Sequence, residues 1–123
     1  MTITSHSNQP SSAQAERLAY LAKELGEAQQ AIGKILRHSH ESLHPGNDTI
    51  NREALESALG DVVHAIALTL WANDISETAV TTRMRDKASE IRTHLYHQPA
   101  ELLQKLEKDI ALMGSGTCLS KED

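Results

Sequence analysis

Three features of the sequence predict an all-α fold, four-helix-bundle-like in architecture. Apolar residues recur at steps of three and four in four successive segments, the period of helices packed against near-parallel partners. The core-forming residues are Leu, Ile, Val and Ala, with no Phe, one Trp and two Tyr, a composition poor in the aromatic residues that sheets favour. No stretch alternates apolar and polar residues as a half-buried strand would, and there is no internal repeat. A chain of 123 residues is long enough for one domain with a core of its own.

The elements follow in order. Residues 1–12 are rich in Ser, Thr, Asn, Gln and Pro without apolar periodicity, and are expected to be disordered. The single helical domain is expected to span residues 13–113, beginning with a helix from about Ala13 to His40 whose seam is Leu18, Leu21, Leu25, Ala28, Ile32 and Ile35. Gly26 and Gly33 weaken that helix by roughly 1 kcal/mol each relative to Ala, and would let another backbone approach closely. Pro45-Gly46-Asn47-Asp48 breaks the chain, and Asn51 is placed to N-cap a second helix over about Arg52–Ala72. Asn73-Asp74 ends it. Asp74 with Glu77 resembles a capping box for a third helix, about Ile75–His97, and Pro99 suits the first position of a fourth carrying Leu102, Leu103, Leu106, Ile110 and Met113. Gly114-Ser115-Gly116 stops that helix, and residues 114–123 read as a flexible tail.

The second helix holds the most apolar segment, Leu55 to Ala72, with Leu55, Leu59, Val62, Val63, Ile66 and Leu70 as its stripe. Its opposite side carries Ala65, Leu68 and Ala72, so the helix is apolar nearly all round and should be buried among neighbours. Asp61, inside it, would then need a cation or hydrogen-bond donors to remain charged. Such two-sided apolar surface exceeds what one subunit buries, and a homo-oligomer, dimer or tetramer, is expected.

A formal charge of −5 and the absence of a basic run exclude a general binder of nucleic acid polymers, though not of a small phosphorylated ligand. The lone Cys118 cannot form an internal disulfide; with no signal-peptide pattern, a cytoplasmic location is expected. His64 and Thr69 interrupt the best apolar run, so no membrane span is expected.

Glu24 and Glu27, three apart, lie on one side of the first helix. Pairs of this kind are most often solvated face, but Asp61 on a second helix turns them into a candidate site for Mg²⁺, which prefers carboxylate oxygens and substrate phosphates. Leu21-Ala22-Lys23-Glu24-Leu25-Gly26-Glu27 followed by Leu55-Glu56-Ser57-Ala58-Leu59-Gly60-Asp61-Val62 resembles the MazG-like group of all-α nucleoside triphosphate pyrophosphohydrolases, whose signature is Glu-x-x-Glu on one helix and Glu-x-x-Asp on the next. Lys34 to His38, Asn51 to Glu56 and Glu90 to Gln98 resemble a small, phage-type branch of that group, so the likeness covers Leu18 to Gln98. It implies Mg²⁺ ligation, with Mn²⁺ as an alternative, by Glu24, Glu27 and Asp61. It also implies hydrolysis of a nucleoside triphosphate to monophosphate and pyrophosphate, as in removal of non-standard nucleotides. The fourth carboxylate of the pattern is replaced by Ala58. The other reading is therefore a catalytically inactive helical bundle that binds nucleotide or a protein partner, and a third is a purely structural bundle in which a Lys or Arg neutralises Asp61.

Lys34, seven residues after Glu27 and on the same side of the helix, is a candidate phosphate ligand, with Arg37, Lys87 and Arg92 after it; each could equally be an exposed charge on an amphipathic helix. Trp71 could stack on a nucleobase or belong to the core. His38, His40 and His44, and His94 with His97, lack the spacing of a transition-metal site, and His64 reads as a hydrogen-bonded core residue.

Overall fold

The computed structural model describes residues 8–43, 46 and 48–113. The expectations for residues 1–7 and for the tail 114–123, Cys118 included, lie outside the described residues, as does His44. The fold is all-α: α1 (Ser12–His38), α2 (Asn51–Trp71), α3 (Glu77–Glu90) and α4 (Ala100–Leu112), with a 3-10 turn over Ile91–Thr93. No strand occurs among the described residues; Leu43 and Ile50 form only an isolated bridge. The chain divides into two compact units, Met1–Asp74 and Ile75–Asp123.

In the first unit α1 and α2 form an antiparallel hairpin. Arg17 near the start of α1 meets Asp74 just past the end of α2, while the opposite ends are joined by the loop. Ser11 begins α1 with a capping box, its hydroxyl accepting from the Gln14 N–H and the Gln14 side chain accepting from the Ser11 N–H. Ser39, at φ 87, ends the helix. Asn51 does not act as the expected N-cap. It is the first helical residue, Ile50 holds the cap position, and the Asn51 amide donates to the Ser39 carbonyl at 3.0 Å. With Asn51 N–H on Ser42 and Arg52 N–H on His40, this sews the loop shut. Asn73, at φ 61, ends α2 in the left-handed region that Asn tolerates better than most residues.

The helix seam is narrower and made of smaller residues than the leucine spacing predicts. Its buried members are Glu24, Ala28 and Ala31 on α1, and Asn51, Val62, Ala65 and Thr69 on α2. Small side chains let the two backbones approach, and Thr69 satisfies its hydroxyl by donating to the Ala65 carbonyl at 2.8 Å. The expected seam residues Leu18, Leu25 and Ile32 lie alongside this contact and stay exposed, as do Leu59 and Val63. The second helix is thus not buried all round; one stripe is covered and the rest faces outward. Gly26 faces open space and Gly33 meets only the Arg37 side chain, so neither admits a second backbone.

Ala65 has no exposure at all. Replacing it with Leu would force the helices apart, and Ala65→Leu is expected to cost about 1–3 kcal/mol in urea denaturation.

Arg17 clamps Asp74 through two bonds, Nε to Oδ2 at 2.6 Å and the second guanidinium nitrogen to Oδ1 at 3.0 Å. This pairing holds the Asp74 carboxyl below its ordinary range and takes it from the capping box expected for the third helix. A depressed carboxyl stabilises the fold above its unfolded pKa and loses that contribution as pH falls through the folded value. Acid unfolding curves are therefore expected to flatten in Asp74→Asn relative to the parent.

In the second unit Ser76 caps α3, accepting from the Ala79 N–H at 3.1 Å. That helix stops at Glu90, short of the expected His97, as the Thr93 hydroxyl takes the Glu90 carbonyl at 2.9 Å and the chain tightens into the 3-10 turn. Pro99 occupies the N-cap position of α4 rather than its first helical position. The α3 and α4 helices pack on each other with Arg92 paired to Glu107.

By length and composition alone α2 is long and apolar enough to cross a membrane, a test that the core helix of a soluble protein also passes. A carboxylate at its middle, Asp61, would be costly in hydrocarbon.

Candidate metal and phosphate site

The hairpin registers three carboxylates. Glu24 and Glu27 project from one side of α1, Asp61 from the facing side of α2, and one oxygen of each lies within 4.8 Å of the others. Among the described residues this is the group of metal-ligating side chains that comes together. The burial differs from the sequence expectation: Asp61 is exposed, and Glu24 is the buried carboxylate, with 4% of its surface accessible. Glu24 falls on the contact stripe between the helices, four residues before Ala28, which is why it goes inside.

The electrostatics are unfavourable as the site stands. Glu24 Oε2 is buried with no hydrogen-bond partner. Lys23 Nζ lies 3.8 Å from Glu24 and 3.9 Å from Glu27 on a largely exposed side chain. Burial pushes the Glu24 carboxyl above the usual range, and the neighbouring charges of Glu27 and Asp61 push it further. A proton shared with Glu27 relieves this, and a divalent cation would do so as well, supplying charge and coordination at once.

From the cluster a cleft of about 370 Å³ runs toward the loop end of the hairpin. Glu27 and Asp61 belong to both. Lys34 and Gln30 line it from α1, and Glu53, Ser57 and Ala58 from α2, with Thr49 at the loop. Ala58 thus stands on the cleft wall, where the acidic pattern would have its fourth carboxylate.

Of the other candidates, Arg37 is exposed outside this cleft, and Trp71 is 52% exposed at the far end of α2, about 15 Å along the helix from Asp61. Lys87 and Arg92 lie in the second unit, where Lys87 borders an apolar groove between α3 and α4 and Arg92 pairs with Glu107. His64 is exposed rather than in the core, and its Nδ1 lies 2.7 Å from the Tyr20 hydroxyl. Sequence reasoning missed Glu53. Its signal was its position eight residues before Asp61, on the edge of the face that carries Ser57 and Asp61. No family model matches the chain, and comparison with characterised proteins and with solved structures gives no match either.

Proposed function

We propose that the protein is a Mg²⁺-dependent nucleoside triphosphate pyrophosphohydrolase that releases monophosphate and pyrophosphate. The observation that carries this is the orphaned Glu24 Oε2, buried against Glu27 and Asp61. The sequence resemblance to MazG-like enzymes supplies the reaction.

Glu24, Glu27 and Asp61 would hold the cation. When bound, Mg²⁺ (or Mn²⁺) neutralises phosphate charge and lowers the pKa of a water, the nucleophile of such a hydrolysis. Lys34, which lines the cleft, would meet a phosphate that the carboxylates alone would repel. Ser57, one turn from Asp61, offers a hydroxyl that can orient water. Pyrophosphate release from nucleoside and deoxynucleoside triphosphates, with Mg²⁺ and with chelator, tests the reading. Release that stops with chelator is expected; silence together with no cation binding would remove it.

Ala58 favours a second reading, in which three carboxylates hold a nucleotide without hydrolysing it. Tight Mg²⁺-dependent nucleotide binding with no turnover would select it. Cytoplasmic function fits either.

The active form is an assembly of identical chains. At about 100° per residue, the cleft residues of both helices lie on one side of the α1–α2 contact, and Leu18, Leu25, Ile32, Leu59 and Val63 lie on the other. The acidic cleft and the apolar ribbon therefore occupy opposite faces, so two hairpins can meet ribbon to ribbon as a four-helix bundle with both clefts open. Sedimentation at micromolar concentration should show a dimer or tetramer that Leu25→Asp with Ile32→Asp shifts to monomer. A monomeric parent would overturn this.

A further inference from the structure

The cleft has a charge order that the reaction does not use. Along α1, Lys34 stands seven residues beyond Glu27, about 10 Å; along α2, Glu53 stands eight residues before Asp61, about 12 Å. Side chains on a helix lean toward its N-terminus. Because α1 and α2 are antiparallel, the Cα–Cβ bond of Lys34 tilts toward the carboxylate cluster and that of Glu53 tilts toward the loop end of the cleft. Glu53 is therefore poorly placed to replace the carboxylate missing at Ala58. Its chain neighbour Arg52 is paired with Glu41.

The cleft thus has the carboxylate cluster at its inner end, with Lys34, Glu53 and Thr49 lining it toward the loop end. With a cation and Lys34 holding a triphosphate at the inner end, the part of the ligand that reaches Glu53 is the nucleoside. A carboxylate repels phosphate and accepts hydrogen bonds, best from two adjacent donors at once. Two parts of a nucleoside offer that pair: the N1–H and 2-amino edge of guanine, and the 2′,3′-diol of ribose. Adenine presents a donor beside an acceptor and cannot satisfy both oxygens.

We propose that Glu53 is a specificity-determining residue, reading paired donors on the nucleoside at the outer end of the cleft, with Thr49 beside it. This rests on the nucleotide-hydrolase reading above.

The test is calorimetric binding, in Mg²⁺, of the non-hydrolysable α,β-methylene analogues of GTP, dGTP, ATP and dATP. The proteins are the parent, Glu53→Gln and Glu24→Gln. Glu53 is exposed, so its substitution should leave the fold intact, which circular dichroism checks. If the base is read, the parent prefers the dGTP to the dATP analogue about tenfold, and Glu53→Gln narrows that ratio to near unity. If the sugar is read, the lost preference is for ribose over deoxyribose with either base. A Glu53→Gln protein that keeps every ratio of the parent overturns the proposal. Where binding still depends on Glu24, the site reading survives that result; a parent that binds none of the four removes both.

Discussion

Glu24→Gln is expected to lower Mg²⁺-dependent pyrophosphate release by about 100-fold or more, since even partners of metal ligands typically cost 10–100-fold when lost. The same change is expected to raise the melting temperature of the metal-free protein at neutral pH. Glu24 is buried beside two other carboxylates, and its carboxyl is held above the ordinary range by that burial first and by Glu27 and Asp61 second. A carboxyl raised by folding favours the native state below its unfolded pKa and loses that advantage as pH rises through the folded value. At neutral pH the charged form is thus an uncompensated cost of the fold, which glutamine removes. A bound cation removes it as well. In the parent, Mg²⁺ should therefore raise the melting temperature by an amount that grows as pH rises above the usual carboxylate range; in Glu24→Gln that gain should vanish. Thermal melts across pH, with and without Mg²⁺, read both effects. Unchanged turnover and an unchanged Mg²⁺ shift in the variant would remove Glu24 from the cation's ligands.

Ala58→Glu is expected to act in the opposite direction, raising turnover by about tenfold and lowering the Mg²⁺ needed for half-maximal rate. Residue 58 precedes Asp61 by three, on the same side of α2, and lines the cleft where a longer side chain has room. The added charge joins three carboxylates, so without metal the variant should be less stable than the parent and recover on adding Mg²⁺. Ala58→Gln has similar bulk without charge and should give neither change. If Ala58→Glu folds, binds Mg²⁺ and turns over no faster, three carboxylates are the complete set and the substitution at this position is not what limits the chain.

Helix number, order and approximate extent were legible from the apolar steps of three and four, because periodicity reports which side of a segment is apolar whatever it packs against. The ends were less legible. Asn51 and Asp74 both looked like caps, but each side chain found a partner far along the chain, Ser39 for one and Arg17 for the other. A local rule cannot see such a competitor. Glu24, Glu27 and Asp61 could be proposed as one cluster from spacing and resemblance, and Lys34 as a neighbour. Glu53 was not, because its one signal, a place eight residues before Asp61 at the edge of the same face, is shared with ordinary exposed charges at the start of a helix.

Sequence by itself determined that the fold is all-α, roughly where its four helices lie, and which carboxylates share a helix side. These follow from backbone propensity and side-chain periodicity, which are local. Only the tertiary structure decided which stripe of each helix is the contact. Of the residues hydrophobicity pointed to, Ala28 and Val62 are buried while most of the leucines are not; Glu24, Ala31, Ala65 and Thr69 complete the seam, since close approach of two backbones favours small side chains whatever their polarity. That choice rotated both helices, put Glu24 inside and Asp61 outside, and left Leu25, Ile32 and Val63 uncovered. The orphaned Glu24 oxygen, on which the functional reading rests, is a consequence of that rotation.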